Sequence, residues 1–173
     1  MVADTQDLAM DTDLLTPIDD IETFVMTTSW RYERLSSHEL VINFKGHYCE
    51  YQATIVWIEH TNILHLAMSF SVGLSKEPMT STKEHTLLKL LSLMNESLQL
   101  GHFDLWREEN AIVWRYGQLL SDSALSHDTL SYLFRTAIDT CERHYPAFQF
   151  VLWAGHSPAD AMQFVLFETA GEA

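Results

Sequence analysis

The run from Ile63 to Val72 alternates without a break. Leu64, Leu66, Met68, Phe70 and Val72 take one side, and His65, Ala67, Ser69 and Ser71 take the other. Successive side chains of an extended chain point to opposite faces, so this pattern marks a strand with one buried and one wet face.

The neighbouring segments agree. Leu40, Ile42 and Phe44 alternate with Val41, Asn43 and Lys45, and the stretch from Tyr48 to Glu59 is rich in aromatic and β-branched residues. His60-Thr61-Asn62 reads as a turn into the Ile63–Val72 run, and connections this short favour antiparallel pairing. "HFDLW" and "AIVWRYGQLL" predict a second hairpin around residues 107–110.

Helical periodicity fills the rest. Pro17 opens a helix with Asp19, Asp20 and Glu22 at its positive end, an apolar stripe of Ile18, Ile21 and Val25, and Trp30 at its close. Pro78 ends the strand block, and Ser81 with Glu84 resembles a capping box. The helix that follows carries Leu87, Leu90, Leu91, Met94 and Leu98, and Gly101 is its expected stop. Ser126 is the expected N-cap of a third helix bearing Leu130, Leu133, Phe134, Ala137, Ile138 and Cys141. Pro146 is expected to break or kink it, with "AFQFVLWAG" continuing as helix until Gly155. Ser157-Pro158-Ala159-Asp160 opens a last helix over 158–168. The expected fold is therefore α+β, an antiparallel sheet of about five strands flanked by helices in the order α-β-β-β-α-β-β-α-α. Residues 1–13, acidic and without a basic residue, read as a flexible tail, and 14–173 as a single domain.

Charge narrows the partners. Ten Lys and Arg stand against 24 Asp and Glu, a net charge of −14. Such a charge repels nucleic acid and anionic membranes; it leaves room for a basic partner, but keeping the protein soluble explains it first. Apolar runs fall short of the ~20 residues a membrane helix needs. The first residues lack a basic region followed by an apolar run, so the expected location is the cytoplasm, with Cys49 and Cys141 as reduced thiols.

Two residue pairs invite a chemical reading. His102 and Asp104 share a side of one strand, opposite Phe103 and Leu105. Simple alternation explains them, and no nucleophile or metal ligand set accompanies them. Cys141 and His144 sit three apart on a helix, a spacing that can aim two ligands one way. Yet no second pair exists, and Cys141 continues an apolar stripe, so core packing explains it. Gly-x-Ser-x-Gly and a Gly-rich phosphate loop are both absent from the sequence. No catalytic residue, cofactor or metal is expected. The aromatic group Tyr145, Phe148, Phe150 and Trp153 is denser than one helix face needs; core packing explains it first, and it is the best partner-binding surface the chain offers.

The stretches "LMNESLQLGHFDLW" and "CERHYPAFQFVLWAGHSPADAM", with the ending "ETAGEA", resemble the bacterial YbjN family, described as sensory transduction regulators. The resemblance covers nearly the whole chain from about Pro17. It implies a fold similar to type III secretion chaperones: a helix, three antiparallel strands, a helix, two strands and a C-terminal helix. It implies a non-enzymatic regulator or chaperone-like protein that acts by binding another protein, and it implies a homodimer. The final helix after Ser157 departs from that layout. Together these readings give Trp106, Trp114, Tyr145, Phe150 and Trp153 as candidate partner contacts. A small-molecule sensor or enzyme, with a pocket between sheet and helices, is the alternative.

Overall fold

The computed structural model describes residues 16–74, 79–121 and 125–170, with side chains as far as Val165. The acidic stretch 1–13 and Pro78 lie outside them. The elements are α1 (Pro17–Val25), β1 (Arg31–Ser36), β2 (Glu39–Lys45), β3 (Glu50–Ile58), a 3₁₀ turn (Glu59–Thr61), β4 (Ile63–Phe70), α2 (Ser81–Ser97), β5 (His102–Trp106), β6 (Ala111–Leu119), α3 (His127–Leu152) and α4 (Pro158–Ala170). All strands form one antiparallel sheet in the spatial order β1-β2-β3-β4-β6-β5. The expected α+β architecture holds, with six strands instead of about five.

The added strand is β1. Its sequence RYERLS has no apolar alternation, and all six residues are exposed or half-exposed. An edge strand needs only one neighbour and little burial, so hydrophobic patterning does not announce it. Trp30, read as the close of α1, lies beyond a turn in which Thr27 and Thr28 hydroxyls donate to Phe24 and Val25 carbonyls at 2.7 and 2.8 Å. The α1 start is tied locally. The Thr16 N–H and hydroxyl both donate to the Asp19 carboxylate, at 2.5 and 3.0 Å. Arg34 on β1 then reaches Asp19 and Glu22, each at 2.6 Å, and fastens α1 to the sheet edge.

The alternation of β4 is realised in full. Leu64, Leu66, Met68 and Phe70 are each at most 3% exposed, and they face the helices together with Ile42, Ala53, Ile55 and Trp114. Burial of each large apolar side chain contributes about 1.5–3 kcal/mol, which makes the covered face the main store of stability. The other face, with Thr54, His65, Ala67 and Arg115, carries no helix among the described residues.

Three local expectations shift. The α2 N-cap is Thr80, one residue before the expected position, and its hydroxyl accepts from the Lys83 N–H at 3.4 Å. The helix ends at Ser97, before Gly101. Gly101 instead opens β5 with φ of +67°, and a Cβ there would collide with the Trp114 indole. The glycine is needed twice over, for its backbone angle and for the ring packed on it. Pro146, expected to break or kink α3, lies inside one helix running from His127 to Leu152. A proline within a helix costs about 3 kcal/mol through the lost N–H and the clash with the preceding turn. Tyr145, Pro146, Ala147 and Phe148 are all buried, so tertiary packing on both sides of the proline offsets that cost. Ser126 caps α3, its hydroxyl accepting from the Thr129 N–H at 3.1 Å, and Ser157 caps α4 through Asp160 at 3.2 Å, both as the sequence indicates.

Gly101→Ala should lower stability by about 1–3 kcal/mol, since a strained backbone angle and a displaced Trp114 ring combine. Urea unfolding followed by tryptophan fluorescence measures it, and an unchanged midpoint would contradict this account of Gly101.

Candidate functional site

α3 ends in an unusual sequence for a helix terminus. Phe148 and Val151 turn inward and are buried, while Phe150 is half-buried and Trp153 is 62% exposed. The Trp153 N–H still donates to the Gln149 carbonyl at 3.0 Å, so the backbone around the exposed indole is held in helical form. The indole lies against Gly73, just beyond the end of β4, where a Cβ would come within 2.8 Å of its ring. Phe150 packs on Phe164 of α4 with ring centroids 4.4 Å apart, and on His156 at 5.5 Å. Gln149, Phe150, Trp153 and Ala154 line a shallow groove of about 370 Å³. Phe164 is itself 39% exposed.

The five candidate contacts divide three ways. Phe150 and Trp153 come together at this groove. Trp106 is also 39% exposed but sits at the end of β5, opposite Ala111 on the hairpin. Trp114 is fully buried beneath Gly101, and Tyr145 is 5% exposed with its hydroxyl donating to the Ser71 carbonyl at 3.2 Å. Both belong to the core; on a strand and on a helix, they fill positions that face the opposing layer. Phe164 was not among the candidates. Ala161, Met162 and Val165 form the buried stripe of α4, and Phe164 falls outside it, which is the one sequence signal that marks it.

The two chemical pairs take ordinary structural places. His102 and Asp104 lie on the face of β5 away from the helices, while Phe103 and Leu105 are 2% and 3% exposed. Asp104 meets Arg115 of β6 at 3.5 Å, a partly exposed pair worth little. Cys141 is fully buried and His144 5% exposed. The His144 Nδ1 stands 2.8 Å from the Thr140 carbonyl. A carbonyl can only accept, so Nδ1 carries the hydrogen. Burial, against the help of that hydrogen bond and with Arg143 nearby, pushes the His144 pKa below its ordinary value. Burial pushes the Cys141 thiol well up, with Cys49 and Glu142 adding to it, and raises Cys49 as well. Neither thiol is poised as a thiolate nucleophile. Glu142 receives the His47 N–H at 2.8 Å on one oxygen, and its other oxygen is buried without a hydrogen-bond partner. Among the described residues no three His, Cys, Asp or Glu side chains are placed to hold a metal ion, and no helix is long and apolar enough to cross a membrane.

The exposed aromatic groove is thus carried on a sheet with one helical layer. Residues 17–150 match the YbjN family model, described as "Putative bacterial sensory transduction regulator", and the chain belongs to that family. The match begins at the first residue of α1 and stops at Phe150, so Trp153 and α4 lie beyond it. No functionally curated protein matches the chain in sequence.

His144 makes the fold sensitive to acid in a definite window. Its folded pKa is below the unfolded value near 6.5, so the unfolded chain binds the extra proton first. The neutral ring's contribution is complete above about pH 6.5 and falls as pH drops from there towards the folded pKa. His144→Gln should therefore show a smaller loss of urea midpoint between pH 7 and pH 5 than the parent protein. Equal losses would remove His144 from that role. A second measurement concerns the thiols: Cys141 should resist alkylation at pH 8 in the native state and react on unfolding, read by intact mass.

Proposed function

We propose that this protein is a cytoplasmic, non-enzymatic regulator or chaperone-like protein, a single folded unit over 14–173 that works by binding another protein. The observation that carries the reading is the Trp153 indole, 62% exposed at a fixed helix end beside Phe150 and Phe164. A large aromatic ring left in water costs free energy that association recovers, and Trp is the residue most enriched among dominant interface contacts. Membership of a regulator family fits this role.

The charge specifies the partner's chemistry. With 24 acidic against ten basic side chains, the chain as a whole carries a strongly negative charge. The partner is therefore a protein segment that offers an apolar side chain to the groove and Lys or Arg beside it. Acidic surroundings speed that encounter and turn away acidic surfaces. Trp106, on the hairpin, is a second contact for the same partner class.

The test uses the tagged full chain and lysate of its own organism. The parent protein should retain one stoichiometric partner, in a salt-sensitive manner. Trp153→Ala should lose about tenfold or more in affinity, as a central aromatic contact does, with the far-UV circular dichroism unchanged. Retention of the same partner at full affinity by Trp153→Ala would overturn the groove as the contact. Loss of the native spectrum would assign Trp153 to the core instead.

A further inference from the structure

The sheet has two outer edges, and they are finished differently. At β5 the free edge is closed from within. The Phe103 N–H donates to the Asn95 side-chain oxygen at 2.7 Å, and the Phe103 carbonyl accepts from the Asn95 amide nitrogen at 3.0 Å. The next outward N–H, that of Leu105, donates to the Asp104 carboxylate at 2.8 Å. No strand can add there without displacing these groups.

At β1 the ladder fixes which groups face outward. Trp57 donates to the His38 carbonyl at 2.8 Å and Gly46 to the Cys49 carbonyl at 2.9 Å. In an antiparallel pair alternate residues bond to the neighbour, so even-numbered residues of β2 bond towards β3 and odd-numbered ones towards β1. Arg31 stands opposite Asn43 and Glu33 opposite Val41. The backbone N–H and carbonyl groups of Tyr32 and Arg34 therefore point away from the sheet, and no side chain among the described residues caps them. Arg34, pinned by Asp19 and Glu22, fastens this strand to α1, and the pairing register of β1 shifts just beyond it, between Arg34 and Ser36. A concavity of about 750 Å³ reaches from Arg31 and Glu33 across Asn43 and Gln52 to Ser69 on β4.

We propose that β1 is a self-association edge, where it pairs antiparallel with β1 of a second copy so that the two sheets become continuous. The charges select both the occupant and the register. A two-fold axis through Tyr32 sets Arg31 opposite the partner's Glu33 and Glu33 opposite the partner's Arg31, all on the open face of the sheet. It also sets Arg34 opposite the partner's Trp30, whose N–H already donates to the Thr28 hydroxyl at 3.1 Å, so two-way backbone exchange is confined to the Tyr32 pair. An axis through Arg31 or through Arg34 opposes two arginines, and an axis through Glu33 opposes two glutamates. Opposite charges across paired strands stabilise and like charges destabilise. The same charges that deter unrelated strands thus admit another copy of this one. This inference stands apart from the Trp153 groove, which is built from other elements.

The experiment is sedimentation velocity of the full chain across a micromolar concentration series. The parent protein should form dimers. Arg31→Glu and Glu33→Arg should each weaken dimerisation about tenfold or more, because two attractive pairs become repulsive. An equimolar mixture of the two variants should dimerise again, since each Glu-bearing strand then faces an Arg-bearing one. The doubly reversed variant should dimerise like the parent protein. Both side chains are exposed, and circular dichroism checks that every variant is folded. A parent protein that stays monomeric throughout the series overturns the proposal. So does a dimer indifferent to the single reversals, or a mixture no more associated than its components.

Discussion

Everything in this molecule depends on the sheet being buried on one face only. β4 commits to that arrangement in its side chains, and the strands on either side follow it in register. One covered face requires a helical layer wide enough to span the whole sheet, and α3 supplies most of it, with eleven buried residues from Leu130 to Val151. A helix that long must extend past the sheet's margin at its end, and there Trp153 meets solvent. The exposed aromatic site is thus a geometric consequence of covering a broad sheet with one long helix. The proline inside that helix is tolerated for the same reason: breaking α3 at Pro146 would uncover Tyr145 and Phe148 together.

Much of this was legible from residues alone, because most elements follow the burial they achieve. β4 and the second hairpin follow directly from alternation, and the caps at Ser126 and Ser157 from the chemistry of helix starts. β1 was not legible. An edge strand with Arg31, Glu33 and Arg34 in a row buries too little to leave a hydrophobic pattern, and its identity is set by β2 alongside it. Gly101 illustrates a second limit. Glycine in sequence signals a special backbone angle but not its reason, and here the reason is the Trp114 ring, brought close only by the fold.

The candidate contacts show the same division. Aromatic density at the end of α3 singled out Phe150 and Trp153 along with Tyr145 and Phe148, but density cannot say which rings face inward. Tyr145 and Phe148 turn to the sheet, and Phe164 joins from a helix more than ten positions further on. The pairs with chemical promise resolve by orientation: His102 and Asp104 face away from the helical layer, and His144 satisfies itself on its own helix at Thr140.

The amide of Asn95 has a consequence for how the molecule can aggregate. A sheet with two receptive edges can act as a monomer of a polymer, each copy accepting a neighbour on both sides without limit. By plugging Phe103 with a side chain, α2 makes the β5 edge a chain terminator. Growth through the remaining edge then stops after a single addition, because the newcomer presents only its own plugged end. On the proposed β1 pairing, the Asn95 amide limits association to closed pairs and keeps the strands from stacking into a fibre.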